Sequence, residues 1–118
     1  MIHITLGGER RPFKFGFNAI DIFCREHSID IAEFANRLEQ LAGGSAPPGE
    51  LRDIIYAGLA GGALSCGLPA AFTNIQVGDW LDELPAGELT KIVDAFTESV
   101  SVPGKKKEKA APQPPMGE

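Results

Sequence analysis

The chain has 118 residues, enough for one domain of ordinary size. Apolar residues make up 43% and charged residues 23% of it, which is typical of a globular protein and excludes a wholly disordered chain. Two cysteines exclude a disulfide framework. We find no apolar run of the ~18–20 residues that cross a bilayer and no signal-peptide pattern, so we expect a cytoplasmic protein without a membrane partner.

The net charge of −5 is unevenly distributed along the chain. Residues 1–102 contain 7 basic and 14 acidic side chains, whereas residues 103–118 contain 4 lysines and 2 glutamates. Because an acidic body repels a phosphate backbone, we expect no nucleic-acid partner for the folded part. The lysine run lacks interleaved aromatic residues and is interpreted as part of a solubilising tail.

The N-terminal residues predict a β-hairpin. Residues 1–6 and 11–15 alternate apolar and polar side chains, and the four residues from Gly7 to Arg10 read as the turn between two strands. Pro12 has no N–H to donate, so the second strand should be an edge strand or begin at Pro12. A two-stranded hairpin is marginal alone, so we expect its apolar face to lie on helices.

After Gly16 the apolar residues follow helical spacing. A first helix begins near Phe17, with Asn18 as its predicted N-cap, and a second begins at Asp30, which stands three residues before Glu33 in a capping-box spacing. Glycines end this second helix at 43–44. A third helix runs from about residue 50 to residue 60.

The C-terminal half predicts two more helices. Residues 63–71 have no clear period and receive no assignment. Thr73 and Gln76 have capping-box spacing and begin a fourth helix, and Pro85 suits the first turn of a fifth helix, which extends to about Val100. Residues 103–118 carry no periodic apolar residues and are predicted to be a disordered tail, because they bury too little to offset their ordering entropy.

These elements predict an α+β fold that is mostly α. A single domain over residues 1–102 consists of the N-terminal hairpin packed on about five short amphipathic helices, and the tail of residues 103–118 follows it. Three phenylalanines, at 13, 15 and 17, share one face in strand geometry. Two interpretations stay open for them, a stripe that faces the core and a partner groove beside an exposed edge.

Candidate metal and nucleophilic residues are few. Cys24 and His27 form one close pair, but a structural zinc site needs four ligands, and His3 and Cys66 have no close second ligand. We therefore expect no metal ion, with Cys24 as a small buried residue and His27 as a helix-end residue. A nucleophilic dyad of Cys66 with one of the two histidines is equally disfavoured.

Two further motifs have simple structural interpretations. The glycine-rich run of residues 58–64 lacks the Gly-Lys-Ser/Thr ending of a phosphate-binding loop, which favours close helix packing or a flexible link. Asp79, Asp82 and Glu83 lie mostly off the apolar stripe of their helix and are interpreted as a solvated face. We therefore expect no catalytic residue and no cofactor.

The order of features nevertheless resembles a known family. The segments are Ile4-Thr5-Leu6-Gly7-Gly8, Pro12-Phe13-Lys14-Phe15-Gly16-Phe17-Asn18-Ala19, Ile54-Ile55-Tyr56-Ala57-Gly58-Leu59, Val77-Gly78-Asp79-Trp80-Leu81-Asp82-Glu83 and Ile92-Val93-Asp94-Ala95-Phe96-Thr97-Glu98. Over residues 2–100 they resemble the tail assembly chaperones of long-tailed phages and prophages.

This resemblance implies a role that is not enzymatic. Such chaperones bind the long, helical, apolar tape measure protein, keep it soluble in the host cytoplasm, help to recruit tail tube subunits, and are absent from the mature virion. Self-association stays open. We predict that the client contacts come from the hairpin edge and the fourth helix, at Phe13, Phe15, Trp80 and Leu84.

Two rival functions remain. The first is a small acidic adaptor module that binds one helix of a bacterial partner protein. The second is a small enzyme that uses Cys66 or the acidic cluster of Asp79, Asp82 and Glu83; a hyper-reactive thiolate or stoichiometric zinc would favour it.

Overall fold

The computed structural model describes residues 2–85 and 87–99. In chain order, the elements are β1 (Ile2–Leu6), β2 (Glu9–Phe13), α1 (Phe17–His27), α2 (Ile31–Ala42), α3 (Pro48–Ser65), α4 (Asn74–Asp82) and α5 (Glu88–Ser99). The predicted class is confirmed: the fold is α+β, mostly α, with an N-terminal hairpin and five helices in the described part. The predicted tail of residues 103–118 lies outside these residues.

The hairpin is closed by a turn of two glycines. The strands pair antiparallel, with Ile2 opposite Phe13 and Leu6 opposite Glu9. Gly7 and Gly8 have φ angles of 62° and 79°, the left-handed pair that a tight hairpin turn requires. Because these two residues supply the whole turn, β2 begins at Glu9, and the predicted four-residue turn is wrong.

Pro12 lies inside β2 without disrupting the ladder. A two-residue turn makes its flanking residues, Leu6 and Glu9, a hydrogen-bonded pair, and bonded and non-bonded pairs then alternate along the strands. Pro12 stands opposite His3 at a non-bonded position, so its missing N–H costs no ladder bond. The expected edge placement of this strand is confirmed, because the sheet has two strands among residues 2–85 and 87–99.

The outer side of β2 packs tightly against α3. A Cβ atom added at Gly58 would overlap the ring of Phe13, and one added at Gly62 would overlap the carbonyl of Pro12. The Lys14 N–H donates to the Gly58 carbonyl at 3.0 Å, which ties the end of β2 to the helix backbone. The glycine-rich run is therefore a close-packing surface, one of its two predicted interpretations, and not a flexible link.

A cluster of phenylalanine rings forms the centre of the core. The ring of Phe15 stacks on Phe34 with centroids 5.8 Å apart and meets Phe96 edge-on at 5.0 Å. Phe23 packs against Phe34 at 5.6 Å. These four side chains are buried and come from α1, α2, α5 and the segment after β2, so the cluster joins four parts of the chain.

Side-chain caps begin α2 and α4, whereas the predictions for the beginnings of α1 and α5 are wrong. The Asp30 carboxylate accepts from the Glu33 N–H at 2.9 Å, as predicted. The predicted N-cap at Asn18 is wrong, because α1 begins at Phe17 with Gly16 as its N-cap. Pro85 precedes α5 instead of lying in its first turn.

Helix α3 extends further than its glycines predict. It continues to Ser65, because Gly61 and Gly62 are fixed by packing against the hairpin and its end. It ends in a Schellman arrangement, in which the Leu68 N–H donates to the Ala63 carbonyl at 2.9 Å and Gly67 adopts a φ of 73°. No helix in the described part combines the length and apolar character needed to cross a bilayer.

Candidate functional site

A cleft of about 390 Å³ opens between β2, the C-terminal end of α3, the segment after it, and α4. Its volume is within the range of small binding pockets. The apolar part of its lining comes from Leu59, Ala63, Leu68, Pro69, Phe72 and Trp80, and Glu9, Arg10 and Arg11 line the side formed by β2.

An arginine and two aromatic rings build one wall of this cleft. The guanidinium of Arg11 lies 4.2 Å from the ring centroid of Trp80 and 5.5 Å from that of Phe72. Its Nε donates to the Leu6 carbonyl at 2.8 Å, and this hydrogen bond holds the guanidinium in place. Such cation–π contacts contribute about 0.5–2 kcal/mol each. The wall is therefore formed before any ligand arrives.

Local capping signals fix both ends of the segment over the cleft. The Schellman bond from Leu68 to Ala63 turns the chain back across α3. At the other end, Thr73 accepts from the Gln76 N–H at 3.1 Å, and Gln76 accepts from the Thr73 N–H at 2.9 Å, which confirms the predicted capping box. Leu68 remains 49% exposed, so an apolar side chain stands at the cleft's edge.

The predicted partner residues separate into two pairs. Phe13 and Phe15 are 1% and 0% exposed, because the end of β2 directs them onto α3 and into the phenylalanine cluster. The prediction that they contact a partner is corrected, since these core side chains present no surface. Trp80 and Leu84 are half-buried and keep accessible surface, and their role in binding stays a prediction.

The third phenylalanine of the stripe lies apart from the other two. Phe17 is 70% exposed at the start of α1. The strand ends at Phe13, so the period of two that placed the three rings on one face no longer applies at Phe17. The core-facing interpretation holds for Phe13 and Phe15 and fails for Phe17.

A buried polar network lies at the other end of α3. Asp53 is 6% exposed, and its Oδ2 lies 2.9 Å from the Nε2 of His27. Its Oδ1 accepts from the Arg52 Nε at 2.9 Å and from the Asn74 Nδ2 at 3.1 Å. An ionised carboxylate only accepts hydrogen bonds, so Nε2 of His27 carries the proton. One side chain thus connects α1, α3 and α4.

Arg37 extends this network to α2. Its Nη1 donates to Glu50 Oε2 at 2.8 Å and lies 3.4 Å from the Nδ1 of His27, and its Nε donates to Glu33 at 3.1 Å. With the proton on Nε2, Nδ1 has a lone pair that accepts from Arg37. The neutral imidazole therefore satisfies both of its neighbours.

The network shifts the titration of its carboxylates in opposite directions. Burial raises the pKa of Asp53, but hydrogen bonds from Arg52, Asn74 and His27, together with the charge of Arg52, outweigh it and lower that pKa below its ordinary value. For Glu26, burial and the charge of Asp53 raise the pKa above its ordinary value.

Three of these side chains have the spacing of metal ligands. Glu26, His27 and Asp53 each offer one ligand atom, and these atoms lie within 4.8 Å of one another. However, protein donors already occupy both carboxylate oxygens of Asp53, and the adjacent guanidinium of Arg52 repels a dication. We interpret the cluster as a structural cross-link between helices.

The structure separates the residues that the sequence analysis considered as zinc ligands. Cys24 directs its Sγ to the Asp30 carbonyl at 3.8 Å, whereas His27 turns to Asp53. His3 and Cys66 lie elsewhere, on β1 and at the end of α3. Burial, aided by the charges of Asp21 and Asp30, raises the pKa of the Cys24 thiol, which disfavours the nucleophilic thiolate.

The remaining candidates for chemistry lie at the surface. Cys66 is the C-cap residue of α3, and Asp79, Asp82 and Glu83 are exposed on α4 and directly after it. The solvated-face interpretation agrees with this exposure. That the protein is not an enzyme stays a prediction.

No protein-family model, curated protein or solved structure matches this chain, so its function has to be inferred from its own residues.

Proposed function

We propose that this chain is a tail assembly chaperone of a long-tailed phage or prophage. It binds the tape measure protein in the host cytoplasm, keeps that protein soluble, and helps to recruit tail tube subunits without making or breaking a covalent bond. The resemblance of residues 2–100 to this family names the client.

The observation that supports this proposal best is the cleft between β2, α3 and α4. Its apolar lining and its preformed wall of Arg11, Phe72 and Trp80 offer what an amphipathic helix needs, a groove for apolar side chains spaced three or four residues apart. The volume accommodates a few side chains and not a whole helix. Affinity per site is therefore modest, and many copies along one long client provide avidity.

The charged residues at the cleft indicate which kind of client helix would bind there. The folded part is acidic overall, but two basic residues, Arg10 and Arg11, line the cleft beside one acidic residue, Glu9. Arg10 is exposed, whereas the guanidinium of Arg11 is held on the aromatic rings. A client helix that carries a carboxylate beside its apolar anchors fits this rim, and a lysine at the same place is disfavoured.

Co-expression with the tape measure protein encoded beside this gene tests the proposal. Wild type should increase the soluble fraction of the client severalfold, and Leu68→Glu, which places a charge at the cleft's edge, should remove that increase. Ile31→Glu is the matched control, because Ile31 is 44% exposed and lies on α2, away from the cleft. Both variants should keep the melting temperature of the wild type.

Three outcomes would change the proposal. A client that stays insoluble with the wild type would contradict the chaperone function. Equal loss with both variants, or with neither, would show that the cleft is not the binding site. Binding of unrelated single helices without any effect on the tape measure protein would favour the acidic adaptor.

A further inference from the structure

The two edges of the hairpin differ. The outer side of β2 is covered by α3, through the Lys14–Gly58 hydrogen bond and the contact of Gly62 with Pro12. On β1, the alternation of pairs directs the N–H and C=O groups of His3 and Thr5 away from β2. No backbone hydrogen bond outside the hairpin ladder reaches His3 or Thr5 from any residue that the structure describes.

The outer edge of β1 also lacks the usual protection against pairing. Edge strands are commonly guarded by lysine, proline or a bulge. β2 contains two arginines and a proline, although its edge is covered, whereas β1 reads Ile-His-Ile-Thr-Leu without Lys, Arg, Asp, Glu or Pro. His3 and Thr5 are both exposed. The strand whose outward groups have no described backbone partner is thus the one without a charged residue or a proline to hinder a neighbouring strand.

We propose that two copies of this chain associate through β1, edge to edge and antiparallel, about a twofold axis at Ile4. Ile4 then lies opposite Ile4 of the second copy, and His3 lies opposite Thr5 of the second copy. Because His3 and Thr5 carry the outward groups, the two His3–Thr5 pairs are the hydrogen-bonded ones. They contribute four backbone hydrogen bonds and join two hairpins into one four-stranded sheet.

The sequence of β1 favours a second copy over another occupant. Apolar residues at 2, 4 and 6 and polar residues at 3 and 5 are arranged symmetrically about Ile4. Antiparallel self-pairing therefore places apolar side chains opposite apolar ones on the core face, and polar opposite polar on the other face, without a register slip. Although each copy has a net charge of −5, no like charges meet across this edge.

The inner face of β1 supplies the apolar part of the interface. Leu6 is buried, but Ile2 and Ile4 are only half-buried against the core and keep surface that a second strand would cover. The interface is one short strand wide, well below the ~1,200 Å² of a stable complex. We therefore expect a reversible dimer whose population rises with protein concentration. This inference does not depend on the cleft or on its client.

Sedimentation velocity of the full chain over a wide concentration range tests the dimer. Thr5→Pro removes one outward N–H from each copy but no ladder bond, as Pro12 does on the opposite strand. It should raise the dimer dissociation constant about tenfold, because two of the four hydrogen bonds are lost. Thr5→Val keeps the N–H and the β-branched shape, so its dimer should match the wild type.

A second measurement keeps the test valid if Thr5→Pro disturbs the hairpin. In the wild type, the amide hydrogens of His3 and Thr5 should exchange more slowly as the concentration rises, whereas the ladder-bonded amide of Ile4 should change little. A wild type that stays monomeric at every concentration would overturn the proposal. Equal dimerisation of a folded Thr5→Pro variant, or His3 and Thr5 amides that gain no protection, would overturn it as well.

Discussion

Helix α3 is held at its two ends by opposite means. In its first half, Glu50 and Asp53 connect it to α1, α2 and α4 through charged hydrogen bonds. In its second half, Gly58 and Gly62 have no side chains, and this allows the hairpin to approach the helix closely. Hydrogen bonds fix which groups meet, and glycines fix how closely the backbones approach. The first half should therefore be sensitive to lost partners, and the second half to added atoms.

The largest expected effect comes from adding one atom to the second half. Gly62→Ala places a Cβ against the Pro12 carbonyl, a backbone group that cannot turn aside. The free energy of unfolding in urea should fall by about 3 kcal/mol.

Gly49→Ala is the control in the same helix. The nearest atom to its new Cβ is the Nη2 of Arg52 at 3.7 Å, an ordinary contact. This change should be neutral or stabilise the protein by up to about 1 kcal/mol. Equal effects of the two substitutions would show that close approach does not hold the second half.

Removing the charge from the first half should have a smaller effect. Asp53→Asn keeps the side chain's shape but weakens the hydrogen bonds from His27 and Arg52. Because both partners are partly exposed, water replaces some of what is lost, and we expect a loss of about 2 kcal/mol. Asp79→Asn on exposed α4 should change stability by less than about 0.5 kcal/mol. A loss of stability above about 0.5 kcal/mol in Asp79→Asn would refute the assignment of Asp53 as the residue that holds the first half of α3.

The difference in stability between the wild type and Asp53→Asn should depend on pH, because folding lowers the pKa of Asp53. The unfolded chain takes up a proton near the ordinary value of 3.8, whereas the folded chain does so only at lower pH. Stability from Asp53 is therefore complete above that value and is lost as pH falls through the folded pKa. Urea unfolding at several pH values should show the gap between wild type and Asp53→Asn shrinking below pH 3.8. A constant gap would exclude the charged form as its source.

The smallest effect belongs to the cap that places Asn74 in the network. Thr73→Ala removes the acceptor for the Gln76 N–H and should cost about 1 kcal/mol in thermal unfolding. Thr90→Ala, at an exposed position of α5, should instead be neutral or slightly stabilising. If both changes behave alike, the capping box does not order the start of α4.

Local signals in the sequence were sufficient for much of the fold. The double glycine, the Asp30 cap and the Thr73–Gln76 box each act within a few residues, so they can be recognised without the tertiary structure. The end of α3 could not be predicted in this way, because only packing against the hairpin decides that Gly61 and Gly62 remain helical.

The polar network had no local signal. His27 and Asp53 are 26 residues apart, and nothing near either residue specifies the other. The one available sign was a carboxylate directly before the apolar pair Ile54-Ile55, since a charge in a buried stripe requires a partner.

The cleft is formed by four segments of the chain. The sequence therefore indicated individual residues of the cleft but not how they are arranged. Trp80 keeps accessible surface and lines the cleft, and its selection as a client contact stays a prediction. Phe13 and Phe15 are core residues instead, because a period of two tells which residues share a face but not which face is buried.

The chain's single tryptophan allows the most direct test of the proposed client-binding cleft. Emission of Trp80 should be followed while a helical peptide from the tape measure protein is added to the full chain. We predict a saturable change in emission for wild type and Ile31→Glu, and none for Leu68→Glu. Binding of the peptide, measured independently by sedimentation, with unchanged Trp80 emission would contradict the account, as would a peptide that does not bind at all.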